Sequence, residues 1–325
     1  MSSAPPVVSV VIAAHDAAAT IDAAIASAQA QTLREIEIIV VDDASRDDTP
    51  ARVEARAGLD PRVQLVASTR NGGPGRARNA GLARARGAWV AVLDADDAFA
   101  PDRLVRLLAL ADGGAEMVAD NLRLEGPEGS SLLLPAAGDP VFAIEAEAFV
   151  EANRGRREQG RVLYGFLKPM IRRSFLERHS IRYRALRLAE DYFLALECLL
   201  HGARWLVTRD ALYRYAVREG SLTAGLAPSH LDAMAEADAA LLDLPALRSQ
   251  PGLRRAIADH RGDVRRAATW TRFVEAVRRR DLTAAGALLV SDAAAARHVL
   301  GEGAAAAPRV LARLARARLA GGAAR

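Results

Sequence analysis

One cysteine, one lysine and few aromatic residues set the first limits on this 325-residue chain. Cys198 has no second cysteine to pair with, so an intrachain disulfide is excluded, and a reduced, cytoplasmic compartment fits. Set in the apolar stretch 194–200, it reads as a small buried hydrophobe. Long apolar runs are also missing. The longest near the start, Val7–Ala14, stops at His15 and Asp16. That is too short for a secretory leader and far below the roughly 20 residues of a helical span. Met1–Pro6 carries no basic residue. The sequence therefore predicts neither a targeting segment nor a transmembrane helix.

Scarce lysine makes the net charge of +4 an arginine charge, with Lys168 the only lysine among 44 basic residues. The charge is uneven: residues 226–325 hold sixteen arginines against ten acids. Such a basic region raises the question of nucleic acid. Aromatics are few there, however, and neither a zinc-ligand spacing nor an RNA-binding signature is present, so no nucleic-acid partner is expected.

The first half alternates two hydrophobic periods. Val7–Ala13, a continuous β-branched run, reads as a strand buried on both faces, and Glu35–Val41, Val63–Ala67 and Ala88–Leu93 read as further strands. Between them, 20–31, 47–57 and 76–86 read as helices, Thr20 being a candidate N-cap and Gly58 and Gly87 the stops. Strand and helix in alternation predict an α/β fold with a mostly parallel sheet flanked by helices. Ligands of such sheets sit at the carboxyl ends of the strands. Polar residues follow there: His15-Asp16, Asp42-Asp43 and Asp94–Asp97. Further on, 101–111, 144–153, 172–179 and 190–201 read as helices. Met117–Leu124 and two short pieces, Trp205–Val207 and Tyr213–Val217, read as strands, and 125–140 as a hairpin or loop. From about Pro228 the pattern is helical. This suggests a sheet domain over 1–225 and a helical extension over 226–325.

Several clusters could carry chemistry. In Leu93-Asp-Ala-Asp-Asp97, alternate side chains of an extended segment share a side, so Asp94 and Asp96 could converge on one cation. Hard divalent ions such as Mg²⁺ or Mn²⁺ take carboxylate oxygens and usually share their site with substrate phosphates. A solvated acidic turn is the plainer alternative. Asp42-Asp43 could meet a base or ribose, or simply cap the next helix. Asn71–Asn79 joins a glycine-rich turn to Arg76 and Arg78 on an opening helix, a setting that suits a diphosphate. Glu190-Asp191 opens a helix, where an acid is favoured by the dipole but could also serve as a general base.

Taken in order, Val8–Asp16, Val41-Asp-Asp-Ala-Ser45, Arg78-Asn-Ala-Gly81, Leu93–Asp97 and Glu190-Asp191 resemble the family 2 glycosyltransferases of GT-A fold. The segments Gly165–Leu176 and Tyr213–Thr223 are similar to bacterial exopolysaccharide enzymes of the succinoglycan-biosynthesis type. The likeness covers about residues 7–225. It departs from the family at Ala13-Ala-His-Asp16, where Pro-x-Tyr-Asn is common. The resemblance implies that Ala13, His15, Asp16 and Asp43 line the nucleotide and that Arg78 lies by the base and diphosphate. It also implies that Asp94 and Asp96, with Asp97 beside them, reach the ribose and a divalent metal. Asp191 would be the base, Glu190 its acceptor-side neighbour, and Arg218 part of a loop over the diphosphate. The implied reaction is metal-dependent, inverting transfer of a hexose from a nucleotide-diphosphate donor, UDP-sugar foremost, to a saccharide or lipid-linked oligosaccharide. One base and one displacement invert the anomeric centre. A non-catalytic binder or scaffold of a polysaccharide assembly would not need Asp191. A sugar nucleotidyltransferase would need a basic glycine-rich loop after the first strand, which 13–19 lacks. Pro308–Arg325, with five arginines and no acid, suggests peripheral contact with the inner membrane face.

Overall fold

The apolar runs become strands, those at 8–14 and 36–42 almost wholly buried and the edge strand at 63–67 only partly so. The computed structural model describes residues 5–154, 163–217 and 227–291. Strands β1 (Val8–Ala14), β2 (Ile36–Asp42), β3 (Val63–Ala67) and β4 (Trp89–Asp94) pair in parallel in the order β3-β2-β1-β4. Helices α1 (Ile21–Gln29), α2 (Thr49–Leu59) and α3 (Pro74–Arg84) make the crossovers. Side-chain alternation splits the strands between two layers. Val10, Ile12, Ile38 and Val40 pack with Ile21, Ala24, Ile25 and Ala28 of α1, whereas Val11, Ile39 and Val41 pack with Ala77 of α3. All of the α1 contact residues are fully buried. Burying each of the larger ones is worth about 1.5–3 kcal/mol.

Small boundary corrections follow from local geometry. Gly58 lies inside the last turn of α2 rather than stopping it. Thr20 sits at the start of α1 without capping it, since its hydroxyl donates to the Ala17 carbonyl.

The rest of the sheet is mixed. After β5 (Ala98–Phe99) and α4 (Arg103–Ala111) come β6 (Met117–Gly126), β7 (Gly129–Leu132), β8 (Val141–Ala143) and α5 (Ala146–Asn153). Then follow β9 (Met170–Arg172), α6 (Arg173–Arg178), α7 (Glu190–Leu200) and β10 (Trp205–Ala216). The full order is β3-β2-β1-β4-β9-β6-β10-β5, with β7 on β6 and β8 on β10. Two expectations change here. The sequence reading has no strand at 170–172, yet β9 lies antiparallel between β4 and β6. The two short strands expected at 205–217 are one strand, β10, whose register shifts at Val207/Ala211 and Ala211/Tyr213. The polar stretch Thr208–Asp210 hides it from pattern reading, because bulges there interrupt the alternation without ending the pairing.

Helices α8 (Pro228–Leu242), α9 (Pro251–Arg278) and α10 (Leu282–Ser291) follow. α8 and α9 run antiparallel, with Leu231, Ala235, Val264 and Ala268 between them. Leu241, Leu253, Ala256 and Ile257 enter the same core cluster as the sheet. Arg154, at the end of α5, binds Asp259 and Asp263 of α9 at 3.2 and 3.0 Å. No helix among the described residues is long and apolar enough to cross a membrane. Arg218, the boundary near 225 and the basic segment Pro308–Arg325 lie outside the described residues.

Candidate active site

The carboxyl ends of β1, β2 and β4 lie level, Ala13 standing opposite both Val41 and Asp94, and Ala14 opposite Asp42. Loops at these ends are tied to each other. Asp16, at φ 48°, donates its amide to Ser45 Oγ at 2.9 Å, and its carboxylate accepts the Arg46 amide at 2.7 Å. The amides of Ala17 and Ala18 donate to Thr49 Oγ1 and Asp47 Oδ2. Ala44, at φ 58°, completes the turn. Asp16 thus holds the second loop in place, while His15 beside it is exposed, its Nε2 3.5 Å from Asp16 Oδ2.

Asp43 is buried, and both of its oxygens accept backbone N–H groups of Gly72 and Gly73, at 2.7–3.1 Å. The carboxylate organises the turn that launches α3. Arg78 on α3 is held by three neighbours. Asn79 exchanges hydrogen bonds with the Tyr183 backbone, its Nδ2 donating to the carbonyl at 2.8 Å and its Oδ1 accepting the amide at 2.9 Å. A Cβ on Gly81 would come within 2.4 Å of Val11 Cγ1, so only glycine lets α3 lie this close to β1. The Tyr183 ring covers the guanidinium at 5.4 Å.

Arg78 joins elements far apart in sequence. Its Nη2 donates to Asp94 Oδ1 at 2.6 Å, and its Nη1 to Glu190 Oε1 at 2.5 Å and Asp191 Oδ1 at 3.0 Å. From the other side, Lys168 Nζ lies 2.9 Å from Asp94 Oδ2 and 2.5 Å from Asp191 Oδ2. The two cations and two carboxylates close a ring between the end of β4 and the start of α7. Burial alone would raise the Asp94 carboxyl, but Lys168 and Arg78 hold it far below the usual range. Burial opposes a proton on Lys168, yet Asp191 and Asp94 keep it firmly protonated. Burial, followed by the charge of neighbouring Asp191, pushes Glu190 up. Ala189, at φ 63° just before α7, turns the chain so that these two acids open the helix toward Arg78.

The acidic turn does not assemble as a three-carboxylate cation site. The strand ends at Asp94, whose carbonyl accepts the Asp97 amide at 3.1 Å, so the segment is a tight turn and alternation no longer applies. Asp94 points to Arg78 and Lys168. Asp97 is buried and points to β10, where Tyr213 Oη donates to its Oδ2 at 2.7 Å and the Ala216 amide to its Oδ1 at 2.8 Å. Burial and the Asp94 charge nevertheless push Asp97 up to about 8. Asp96 alone of the three is exposed. Among the described residues no group of three or more His, Cys, Asp or Glu is placed to hold a metal by itself. The donor set still fits a hard divalent ion completed by substrate phosphates, which needs only one or two carboxylates from the protein.

Lys168 and Tyr213 are the site residues that residue-by-residue reading passes over. Tyr213 lies in a quoted motif without a role. For Lys168 a signal exists: in a chain that otherwise uses arginine, a solitary lysine marks a place where a compact ammonium is wanted.

Residues 9–177 match the family described as Glycosyl transferase family 2. The succinoglycan biosynthesis protein ExoO of Rhizobium meliloti is 41% identical over 299 residues, covering 90% of this chain and 84% of that protein. Among solved structures, S. aureus TarS 1–349 in complex with UDP-GlcNAc superposes with a TM-score of 0.61 at 19% identity, over 86% of this chain and 90% of that one. The mannosyltransferase PcManGT from Pyrobaculum calidifontis, in complex with GDP-Man and Mn²⁺, superposes at 0.51 with 20% identity, over 94% and 81%. The fold expected from strand-and-helix alternation and the likeness to succinoglycan-type enzymes are both borne out: the chain belongs to glycosyltransferase family 2 and is a glycosyltransferase of GT-A fold.

Proposed function

We propose that this enzyme transfers a hexose from a nucleoside diphosphate donor, UDP-sugar foremost, to a hydroxyl of a saccharide or lipid-linked oligosaccharide, with inversion, in the assembly of a bacterial polysaccharide. The observation that carries the reading is the shared cation pair. Asp94, at the donor end of β4, and Asp191, at the mouth of α7, are bridged by the same Arg78 and Lys168. In this reading a carboxylate that takes a proton stands beside cations that meet the leaving diphosphate.

In this reading Asp191 accepts the proton of the attacking acceptor hydroxyl, and Glu190, fixed beside it by Arg78, orients the acceptor. Arg78 stabilises the negative charge that develops on the diphosphate. Asp43 and the turn at Gly72-Gly73 shape the floor under the base, with Ala13, His15 and Asp16 at its edge. Exposed Asp96, with donor phosphate oxygens, would hold Mg²⁺ or Mn²⁺, and Asp94 and Asp97 would fix the turn that presents it. The ion would add Lewis-acid stabilisation of the leaving group. The relatives support the classes of donor and pathway: TarS is solved with UDP-GlcNAc, PcManGT with GDP-Man and Mn²⁺, and ExoO is a succinoglycan biosynthesis protein. The reading places the enzyme in the cytoplasm, at the inner membrane face where a lipid-linked acceptor is presented. Arg218 and the basic segment 308–325 are assigned to the diphosphate and to the membrane surface in the same reading.

The test is a panel of UDP, GDP and their sugars, with and without Mn²⁺, followed by thermal shift, since a ligand of the folded state raises Tm. Asp191→Asn should keep the nucleotide-dependent shift while turnover falls about 10²–10⁴-fold. Full turnover in that variant, or a product of retained anomeric configuration, would refute the mechanism.

A further inference from the structure

Both oxygens of Asp191 are occupied by cations, Oδ1 by Arg78 and Oδ2 by Lys168. A carboxylate held in this way has its oxygens turned to the two cations rather than to an incoming hydroxyl. The two clamps differ. Arg78 is pinned by Asp94, Glu190, Asp191 and the face of Tyr183, with 5% of its side chain exposed. Lys168, with 8% of its side chain exposed, carries a compact charge with three rotatable donors on a flexible stem, and among the described residues its ion pairs are with Asp94 and Asp191. Its backbone, by contrast, is fixed: the Lys168 carbonyl accepts Arg103 Nη2 at 2.7 Å. The anchored backbone and bridging ammonium make it the member of the ring that can change partner.

A nucleoside diphosphate would bring strong negative charge to the strand ends, where Arg78 and Lys168 are the cations that the described residues place between β4 and α7. We propose that Lys168 exchanges Asp191 for the diphosphate of the donor, so that donor binding itself unclamps the base. The acceptor then meets an active base only in the donor complex. The inference rests on the donor reading above and adds a residue to it.

Linkage makes the exchange measurable without turnover. If Asp191 and the diphosphate compete for one ammonium, removing the charge of Asp191 must tighten nucleotide binding. The experiment is calorimetric titration of the full chain with UDP and with GDP, each with Mg²⁺, across wild type, Asp191→Asn, Lys168→Gln and the double variant. The expected result is that Asp191→Asn tightens the bound nucleotide about fivefold or more, a common size for coupled sites. With Lys168→Gln in place, the same change should shift affinity about twofold or less. Unchanged or weaker binding in Asp191→Asn would overturn the exchange and leave the donor reading intact. Equal tightening in the Lys168→Gln background would overturn it too, because Asp191 would then repel the diphosphate directly. If Lys168→Gln does not fold, Lys168→Met, which keeps the stem without the charge, takes its place as the background. Failure of wild type to bind either nucleotide would overturn both the donor reading and the exchange.

Discussion

The hydroxyl of Tyr213 donates to the carboxyl of Asp97 at 2.7 Å while accepting the Asp94 amide at 3.1 Å. This one phenol joins β10 to a turn at the end of β4, although β9 and β6 stand between those strands in the sheet. The antiparallel pairing of Tyr213 with Phe99 of β5 brings it there, since β5 leads straight out of the acidic turn.

The first prediction concerns that buried acid. Asp97 holds its proton up to about 8 in the folded chain, whereas the ordinary value is 3.8. Between these values the folded state binds more protons than the unfolded one, so stability falls as pH rises from about 4 to about 8. The effect belongs to metal-free protein, because a nearby cation reverses such shifts. In EDTA-treated enzyme, Tm should decline across this window, and Asp97→Asn should flatten the decline. Parallel wild-type and variant curves would show that Asp97 ionises freely.

Arg103 and Asp120 form a wholly buried pair, the guanidinium donating twice to Asp120 Oδ1 at 2.9 and 2.7 Å and lying over the rings of Phe99 and Tyr213. Removing one partner strands a buried charge. Arg103→Leu should therefore cost about 3–5 kcal/mol by urea unfolding, and the double change Arg103→Leu, Asp120→Leu should recover most of it. Turnover should not recover, because the tether from Arg103 to the Lys168 carbonyl stays lost. Full activity in the double variant would dismiss that tether.

The helical region has its own buried pair. Asp238 is fully buried and bonds His260 Nδ1 at 2.8 Å, and the His260 ring stacks on Tyr192, the residue after Asp191. His260→Ala should destabilise the protein by about 1–3 kcal/mol, the cost of leaving Asp238 without its partner. Because α7 leans on this stack, turnover should fall as well at temperatures where the variant is still folded. Unaltered kinetics would mean that α7 is positioned by the sheet alone.

Asp96 should carry the metal dependence. With UDP present, Asp96→Ala should lose the Mn²⁺-dependent part of the thermal shift while keeping the Tm of the free protein within about 1 °C, as an exposed surface change usually does. Asp94→Ala should instead lower Tm of the free protein, since it leaves buried Arg78 and Lys168 short of a partner. The same response from both variants would argue against separate roles.

Much of this was legible in the chain itself. Periodicity predicts β1 to β4 and their crossover helices, because buried parallel strands are mostly apolar; Ser9 and Glu37 are buried exceptions, bonded to each other at 2.7 Å. The order of short motifs predicts the family. Tertiary structure decided how those acids are used. Whether Asp94, Asp96 and Asp97 share a cation depends on a turn closed by one backbone hydrogen bond, which no alternation rule foresees. Whether Asp43 reads a base or builds a turn depends on amides about thirty residues away. The pairing of Lys168 with Asp191 crosses from the segment before β9 to the start of α7, and β9 itself is too short to announce its place in the sheet. Local pattern records which face of an element is apolar. Which charges meet is a property of packed neighbours from remote parts of the chain, and only the folded arrangement brings them within hydrogen-bonding distance.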